Sequence, residues 1–219
     1  MNLKKYIIFL FALCTFIGCA KEEDIISTDT TVGHSRLTFF PVLTLKGEEY
    51  VAVPKGGTYT EAGATAKEGT ADIATTISGS VNTGTAGVYT LTYTAVNKDG
   101  FSVSDTRTVA VYSTDATAAA NDFSGSYLRA ATGVSAIWTK IAPGVYIITN
   151  PGGAATGTSL KVIAFNPTGT TVNIPSQTSS DGNTSSSSTF TYTNGTPPSY
   201  TLVFLNPGYG TGVRTFVKQ

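Results

Sequence analysis

Gly87-Val88-Tyr89-Thr90-Leu91-Thr92-Tyr93-Thr94-Ala95-Val96 is the stretch that decides the fold class. In an extended chain Tyr89, Leu91, Tyr93 and Ala95 fall on one side and Thr90, Thr92 and Thr94 on the other. That alternation predicts a half-buried antiparallel strand, its threonine face toward solvent or a neighbour. Asn97-Lys98-Asp99-Gly100 reads as a turn, with Gly100 able to supply a positive φ. Phe101–Tyr112 then returns, Thr106, Thr108, Ala110 and Tyr112 alternating with Arg107, Val109 and Val111, and a hairpin results. Upstream, Leu37-Thr38-Phe39-Phe40 and Val42–Leu45 are strand signals interrupted by Pro41, which predicts an edge strand or a bulge. Glu49–Val53 follows the Lys46-Gly47 turn and stops at Pro54. Strand signals about every ten residues, with turns between them, are the spacing of a β-sandwich.

Ser113–Asn121 is a run of small residues, read as a linker over 114–121 that is too short for a stable helix of its own. Beyond it, eight strand candidates crowd into residues 122–219. They are Gly125–Arg129, Ser135–Lys140, Gly144–Thr149, Leu160–Phe165, Thr171–Ile174, Thr189–Tyr192, Tyr200–Phe204 and Val213–Val217. Pro143-Gly144, Asn150-Pro151-Gly152-Gly153, Asn166-Pro167 and Asn206-Pro207-Gly208 punctuate them. An up-and-down antiparallel sheet curling into a barrel or sandwich is expected. Ser179–Ser188, low-complexity Ser, Thr, Asn and Gly around Asp181, reads as a mobile hairpin loop.

Composition agrees with an all-β chain. Only 13% of the 219 residues are charged, about half the usual share, and Thr, Ser, Gly and Ala take their place. Removing Lys4 and Lys5 with a leader leaves twelve basic residues against fourteen acids, a net of −2. Nothing in that balance attracts nucleic acid. The two cysteines, Cys14 and Cys19, both lie near the start, so no internal disulfide holds the mature chain. Sheet pairing and aromatic burial must hold it instead.

Several segments together carry a family resemblance. Gly56-Gly57-Thr58-Tyr59-Thr60-Glu61-Ala62-Gly63-Ala64-Thr65-Ala66, Ile77–Thr83, Gly87–Tyr93 and Arg107-Thr108-Val109-Ala110-Val111 resemble, in order, the segments of the bacterial immunoglobulin-like surface domain. The resemblance covers residues 36–113 and implies an Ig-like sandwich without catalysis. One departure is Asn97–Phe101, where the family usually has Asp-x-x-Gly-Asn. Residues 122–219, above all Asp122–Arg129 and Trp138–Ile148, resemble the C-terminal β-domain that follows this module in SusE-like surface lipoproteins. No functional residue is carried over from that second resemblance.

Residues 1–18 read as a lipoprotein signal peptide. Lys4 and Lys5 form the basic region, Tyr6–Ile17 is apolar apart from Cys14 and Thr15 and too short to span a membrane, and Phe16-Ile17-Gly18-Cys19 fits a lipobox. Phe16 stands where Leu is usual. An ordinary secretory signal is the alternative, and it would leave Cys19 as a free thiol. With a lipid on Cys19, outer-membrane lipid becomes the first partner, and residues 19–35 a flexible tether. Lys21-Glu22-Glu23-Asp24 resembles the acidic export signal of lipoproteins in starch-utilisation-like (Sus-like) glycan uptake systems. It implies display on the cell exterior.

The inventory for catalysis is poor. His34 is the single histidine, and 122–219 holds two acids, Asp122 and Asp181. A glycoside hydrolase needs two carboxylates facing one another, and no nucleophile elbow, zinc motif or phosphate loop is present. No cofactor or metal is expected. Aromatic rings can stack on sugar faces while amides bind the hydroxyls, and on that ground Trp138, Tyr192, Asn194, Asn206 and Tyr209 are the candidate ligand residues. Trp138 shares its strand face with Ala136 and Lys140, although a strand tryptophan is more often core. Tyr209, flanked by glycines, has less to pack against. Tyr89, Tyr93 and Tyr146 are assigned to the core. Two functions follow: a non-catalytic surface lipoprotein that binds extracellular polysaccharide beside Sus-like transporter components, or a structural or adhesive surface protein with no glycan ligand.

Overall fold

The computed structural model describes residues 31–32 and 35–219, with side chains described from residue 37 onward. The described residues before Phe40 belong to a unit separate from the rest. In it β1 (Thr31–Val32) pairs antiparallel with β2 (Ser35–Arg36), two rungs at the end of the expected tether and its boundary with the first domain. Cys19, Lys21–Asp24 and His34 lie outside the described residues.

Seven strands follow: β3 (Pro41–Leu45), β4 (Tyr50–Pro54), β5 (Ala64–Glu68), β6 (Ala71–Ile73), β7 (Thr75–Ser78), β8 (Gly87–Val96) and β9 (Ser102–Tyr112). They form two sheets, ordered β3-β5-β6 and β4-β9-β8-β7. The hairpin read from sequence is the β8–β9 ladder, running from Gly87↔Val111 to Val96↔Ser102. β4 pairs parallel with the far side of β9. Leu91, Tyr93 and Ala95 point inward as their alternation requires. Tyr89, expected in the core, is only partly buried, because its hydroxyl reaches out to donate to the Thr85 carbonyl at 2.9 Å. Leu37–Phe40 makes no strand: the β3–β5 ladder has its first rung at Pro41↔Glu68, and β3 is a sheet edge, where a proline is tolerated.

A buried ionic knot ties this sandwich together. Arg107 is 1% exposed. Its guanidinium pairs with Glu61, donates to the Tyr93 hydroxyl (2.9 Å) and the Glu48 carbonyl (2.9 Å), and also bonds the Lys46 carbonyl. Glu61 in turn accepts from the Tyr59 and Tyr93 hydroxyls and from the Gly63 backbone N–H at 2.7 Å. Burial alone would raise the Glu61 pKa, but these donors and Arg107 outweigh it and hold it below the usual range.

Residues 125–218 make one nine-stranded antiparallel sheet. Its strands are β10 (Gly125–Arg129), β11 (Val134–Ala142), β12 (Val145–Thr149), β13 (Lys161–Thr168), β14 (Thr171–Asn173), β15 (Gln177–Thr178), β16 (Thr184–Thr193), β17 (Ser199–Leu205) and β18 (Arg214–Lys218). The order is β14-β13-β12-β11-β10-β18-β17-β16-β15, so two meanders join where the first strand pairs with the last. The sheet curls until Ser187 and Ile174 hydrogen-bond across the gap between β16 and the end of β14 (2.9 Å). Each of the eight strand candidates lies in or overlaps a strand. The Ser-rich run does not form a loop as expected: Thr184–Ser188 is the start of β16, and Ser185 is fully buried.

Phe40–Gln219 form one compact unit. The outward face of β9 and β4, with Ala110, Tyr50 and Ala52, packs on the outward face of β12 and β13, with Val145, Ile163 and Phe165. Both faces of β12 and β13 are therefore covered. The expected linker is a fixed strut. Its helix α1 (Ala116–Ala119) is capped by Asp115, whose carboxylate accepts from Ala118 N at 2.8 Å, and Ala118 is fully buried. Asp115 N bonds the Pro167 carbonyl and Asn121 Nδ2 bonds Asn166 Oδ1, both at 2.9 Å, tying the strut to the β13–β14 turn.

Candidate binding site

The five candidate residues do not converge. Trp138 is 2% exposed and lies among Tyr127, Tyr146, Phe190 and Tyr200 at ring separations of 5.1–5.8 Å. It is core, a correction of its reading as a ligand residue. Lys140 on the same face misled that reading: its ammonium reaches the carbonyls of Asn121 (2.5 Å) and Ala119 (3.2 Å), so the charge leaves the core while the stem stays on it. Tyr192 is also core, stacked on Phe123 at 4.0 Å with its hydroxyl 3.0 Å from that of Tyr127. Asn194 is exposed in the turn between β16 and β17, at the opposite end of β17 from Asn206. Tyr146 and Tyr93 are buried as assigned.

Asn206 and Tyr209 do come together. Past the end of β17, Asn206 Oδ1 accepts from Gly208 N (2.8 Å), and Tyr209 N donates to the Asn206 carbonyl (2.9 Å). Asn206 Nδ2 donates to Asp181 Oδ2 (3.0 Å) and Ser185 Oγ (2.9 Å). Asp181 also accepts from Ser179 Oγ (2.6 Å), Asn183 N (3.0 Å) and Asn183 Nδ2 (3.1 Å). These donors fix the 179–183 turn that its composition suggested was mobile. They outweigh burial, which alone would raise the Asp181 pKa, and bring it down to about 2.

The Tyr209 ring rests on the Asn150–Leu160 loop. A Cβ at Gly152 or Gly157 would stand 2.1 Å or 1.8 Å from its atoms, so only glycine lets the loop close on the ring. Phe204 meets Tyr209 edge-on at 5.1 Å, and the Arg214 guanidinium lies 5.6 Å from the ring centre. Arg214 is buried and donates to the carbonyls of Gly210 (2.8 Å) and Gly212 (3.2 Å), which shapes the loop that carries Tyr209. Between these loops lies a cleft of about 380 Å³, lined by Thr156, Ser159, Ser180, Asp181, Asn206 and Tyr209 among others. Neither Gly152 nor Gly157 was singled out from sequence, although Gly152-Gly153 stood in a marked turn.

The cleft has no proton-transfer pair. Asp181 is held ionised far below neutrality, and burial raises the Tyr209 pKa, helped by Asp181 and opposed by Arg214. The other carboxylate, Asp122, precedes β10, at the end of the sheet where Tyr127↔Lys218 and Ser199↔Val217 pair, whereas Asp181 is bonded to Asn206 at the other end. Two carboxylates across one cleft are not assembled. No group of His, Cys, Asp and Glu suited to a metal occurs among the described residues. No described helix is long and apolar enough to cross a membrane.

Comparison with known proteins bears on the first sandwich. Residues 43–111 match the family model of the bacterial surface protein Ig-like domain. The Arg107–Glu61–Tyr93 knot and the β8–β9 ladder lie inside the match. A crystal structure of a lipoprotein from Bacteroides thetaiotaomicron aligns with 82% of this chain and 100% of its own, at 25% identity and a TM-score of 0.45. The structure of the M60 catalytic domain with the CBM51-1 and CBM51-2 domains of Clostridium perfringens ZmpB aligns with 84% of this chain and 22% of that one, at 12% identity and a TM-score of 0.32. No curated protein matches.

Proposed function

We propose that this protein is a cell-surface lipoprotein, anchored in the outer membrane through acylated Cys19, that holds extracellular polysaccharide without cleaving it, beside a Sus-like transporter. The observation that carries the glycan reading is the cleft at Tyr209. A partly exposed phenol ring there stands beside the hydroxyl of Ser180 and the carboxylate of Asp181. That is a small apolar face with a polar rim, the combination a sugar ring and its hydroxyls require. The match at 43–111 and the lipobox at Phe16–Cys19 support the surface location. The packed contact between the two β-regions makes the Ig-like sandwich a fixed arm that carries the cleft.

Affinity electrophoresis of the mature chain from residue 20, run through gels holding a panel of neutral and acidic polysaccharides, tests this. One polysaccharide should retard the protein. Ser159→Arg, which fills the cleft from an exposed lining position, should restore free migration with the thermal midpoint unchanged. Unchanged migration through every gel sinks the glycan reading and leaves a structural or adhesive surface protein. That second reading is favoured by one observation: Trp138 and Tyr192, two of the three aromatic candidates, are core.

A further inference from the structure

Among Phe40–Gln219 the large apolar side chains left exposed are Phe40, Val42, Ile77, Val96, Phe101, Ile137 and Val213. Four of these seven gather at one end of the Ig-like sandwich. Phe40 and Phe101 meet edge-on at 4.8 Å while remaining 64% and 45% exposed. Val42 follows on β3, and Val96 stands opposite Ser102 at the last rung of the β8–β9 ladder. Isolated exposed apolar residues are ordinary, whereas a cluster marks a surface that meets something.

The place of the cluster says what. The chain enters the sandwich at Phe40, twenty-one positions after Cys19. β9 runs from Ser102 at this end to Tyr112, where the strut leads to the second sheet. Contact with the other β-region begins near Tyr50, which stands opposite Thr108, so about 20 Å of β9 separates it from the Phe40–Phe101 end. The chain that comes from Cys19 thus arrives at the aromatic end. The lysines there are paired, Lys98 with Glu68 and Lys67 with Asp72 (3.2 Å), so its exposed apolar rings are not surrounded by one sign of charge. Apolar rings beside paired lysines suit the boundary between headgroups and acyl chains.

We propose that Phe40 and Phe101, with Val42 and Val96 beside them, form a foot that rests on the lipid surface in which Cys19 is anchored. This rests on the lipid-anchor reading above. The foot holds the sandwich upright and the Tyr209 cleft away from the membrane, which a tether alone does not do.

The full chain, expressed with its leader, purified and reconstituted in phosphatidylcholine vesicles, provides the test. Trp138 is the sole tryptophan and is buried in the other β-region, so a tryptophan introduced at Phe101 reports on the foot alone. In vesicles of phosphatidylcholine brominated near the headgroup, Phe101→Trp should lose much of the added emission and the wild type almost none. Phe40→Trp, at a more exposed position, should behave alike and serves if Phe101→Trp folds poorly. A protein that floats with the vesicles but whose added indoles keep full emission overturns the foot and leaves the anchor standing. A protein that does not float overturns the anchor and the foot with it. Unquenched indoles with a dimer that Phe40→Asp converts to monomer would put a second copy on this surface, again overturning the foot.

Discussion

The two β-regions solve the same problem with different chemistry. The Ig-like sandwich is narrow, and much of its interior at one level is a charged knot in which Arg107, Glu61, Tyr93 and Tyr59 satisfy one another. The curled sheet has room for a ring cluster, Trp138 touching Tyr127, Tyr146, Phe190, Tyr192 and Tyr200, with Tyr200 stacked on Phe216 at 4.7 Å. One region adds an ionised knot to its buried Leu91, Val109 and Val111, and the other adds a large ring cluster. The most informative perturbations separate those two additions.

The largest effect should come from the ring cluster. Trp138→Ala removes the indole from a site with no solvent to fill it, and should destabilise the chain by about 3–5 kcal/mol. Urea unfolding followed by tyrosine near-ultraviolet circular dichroism measures this. A cost under about 1 kcal/mol would mean the site collapses freely and the cluster is not the core that its burial suggests.

The knot should show a smaller loss with a different signature. Glu61→Gln leaves the Arg107 guanidinium buried without its carboxylate, at a cost of about 2 kcal/mol. Because the folded pKa of Glu61 is lowered, its stabilisation is fully present above the ordinary carboxylate pKa and is lost as pH falls through the lower folded value. Acid should therefore open the Ig-like sandwich while the buried Trp138 signal persists, and Glu61→Gln should flatten that acid dependence. Hydrogen exchange at pH 3 and pH 7 reads both regions together, and equal protection loss in the two would contradict the contrast.

What could be read in the sequence follows the same division. Regular alternation along Gly87–Val96 exposed the hairpin, and glycine and proline punctuation exposed eight of the nine strands in the curled sheet. Thr184–Ser188 escaped because its pairing rests on hydroxyls: Ser185 bonds Ser179 at 2.8 Å and Asn206 at 2.9 Å, and buried serines leave no apolar period. The contact between the regions left a trace that alternation rules overlook. Val145-Tyr146-Ile147-Ile148 and Val162-Ile163-Ala164-Phe165 are apolar on both faces, as strands covered from two sides are. Of the site, Asn206 and Tyr209 were legible from their turn, whereas the glycines that seat Tyr209 act through the space they leave, which no residue pattern announces.

Asp181 tests whether the cleft belongs to the rigid part of the second region. Asp181→Asn keeps the shape and removes the charge that four donors address. Global stability at neutral pH should hardly change, since the residue is exposed, while amide protection over 179–185 should fall. Lowering the pH from about 4 toward 2 should do the same to the wild type, because a depressed carboxylate pKa means stabilisation lost as protons return. Protection that stays constant in the variant would show the turn to be held by its serines alone.

The smallest effect is the sharpest probe of the ring cluster, because it asks what its hydroxyls contribute once area is held constant. Tyr200 OH and Trp138 Nε1 are buried polar atoms that face one another without reaching hydrogen-bond geometry, and neither has another hydrogen-bond partner among the described residues. Tyr127 OH, in contrast, donates to the Phe123 carbonyl at 2.8 Å and lies 3.0 Å from Tyr192 OH. Removing a bonded hydroxyl leaves acceptors stranded, and Tyr127→Phe should cost about 1 kcal/mol. Removing an unbonded one takes away a desolvation cost and leaves the ring stack on Phe216 untouched, so Tyr200→Phe should be neutral within about 0.5 kcal/mol or slightly stabilising. Urea midpoints of the two variants, measured side by side, decide it. If Tyr200→Phe proves as costly as Tyr127→Phe, the Tyr200 hydroxyl has a partner in solution, and the centre of the ring cluster would rest on a polar bond as the Ig-like sandwich rests on its knot.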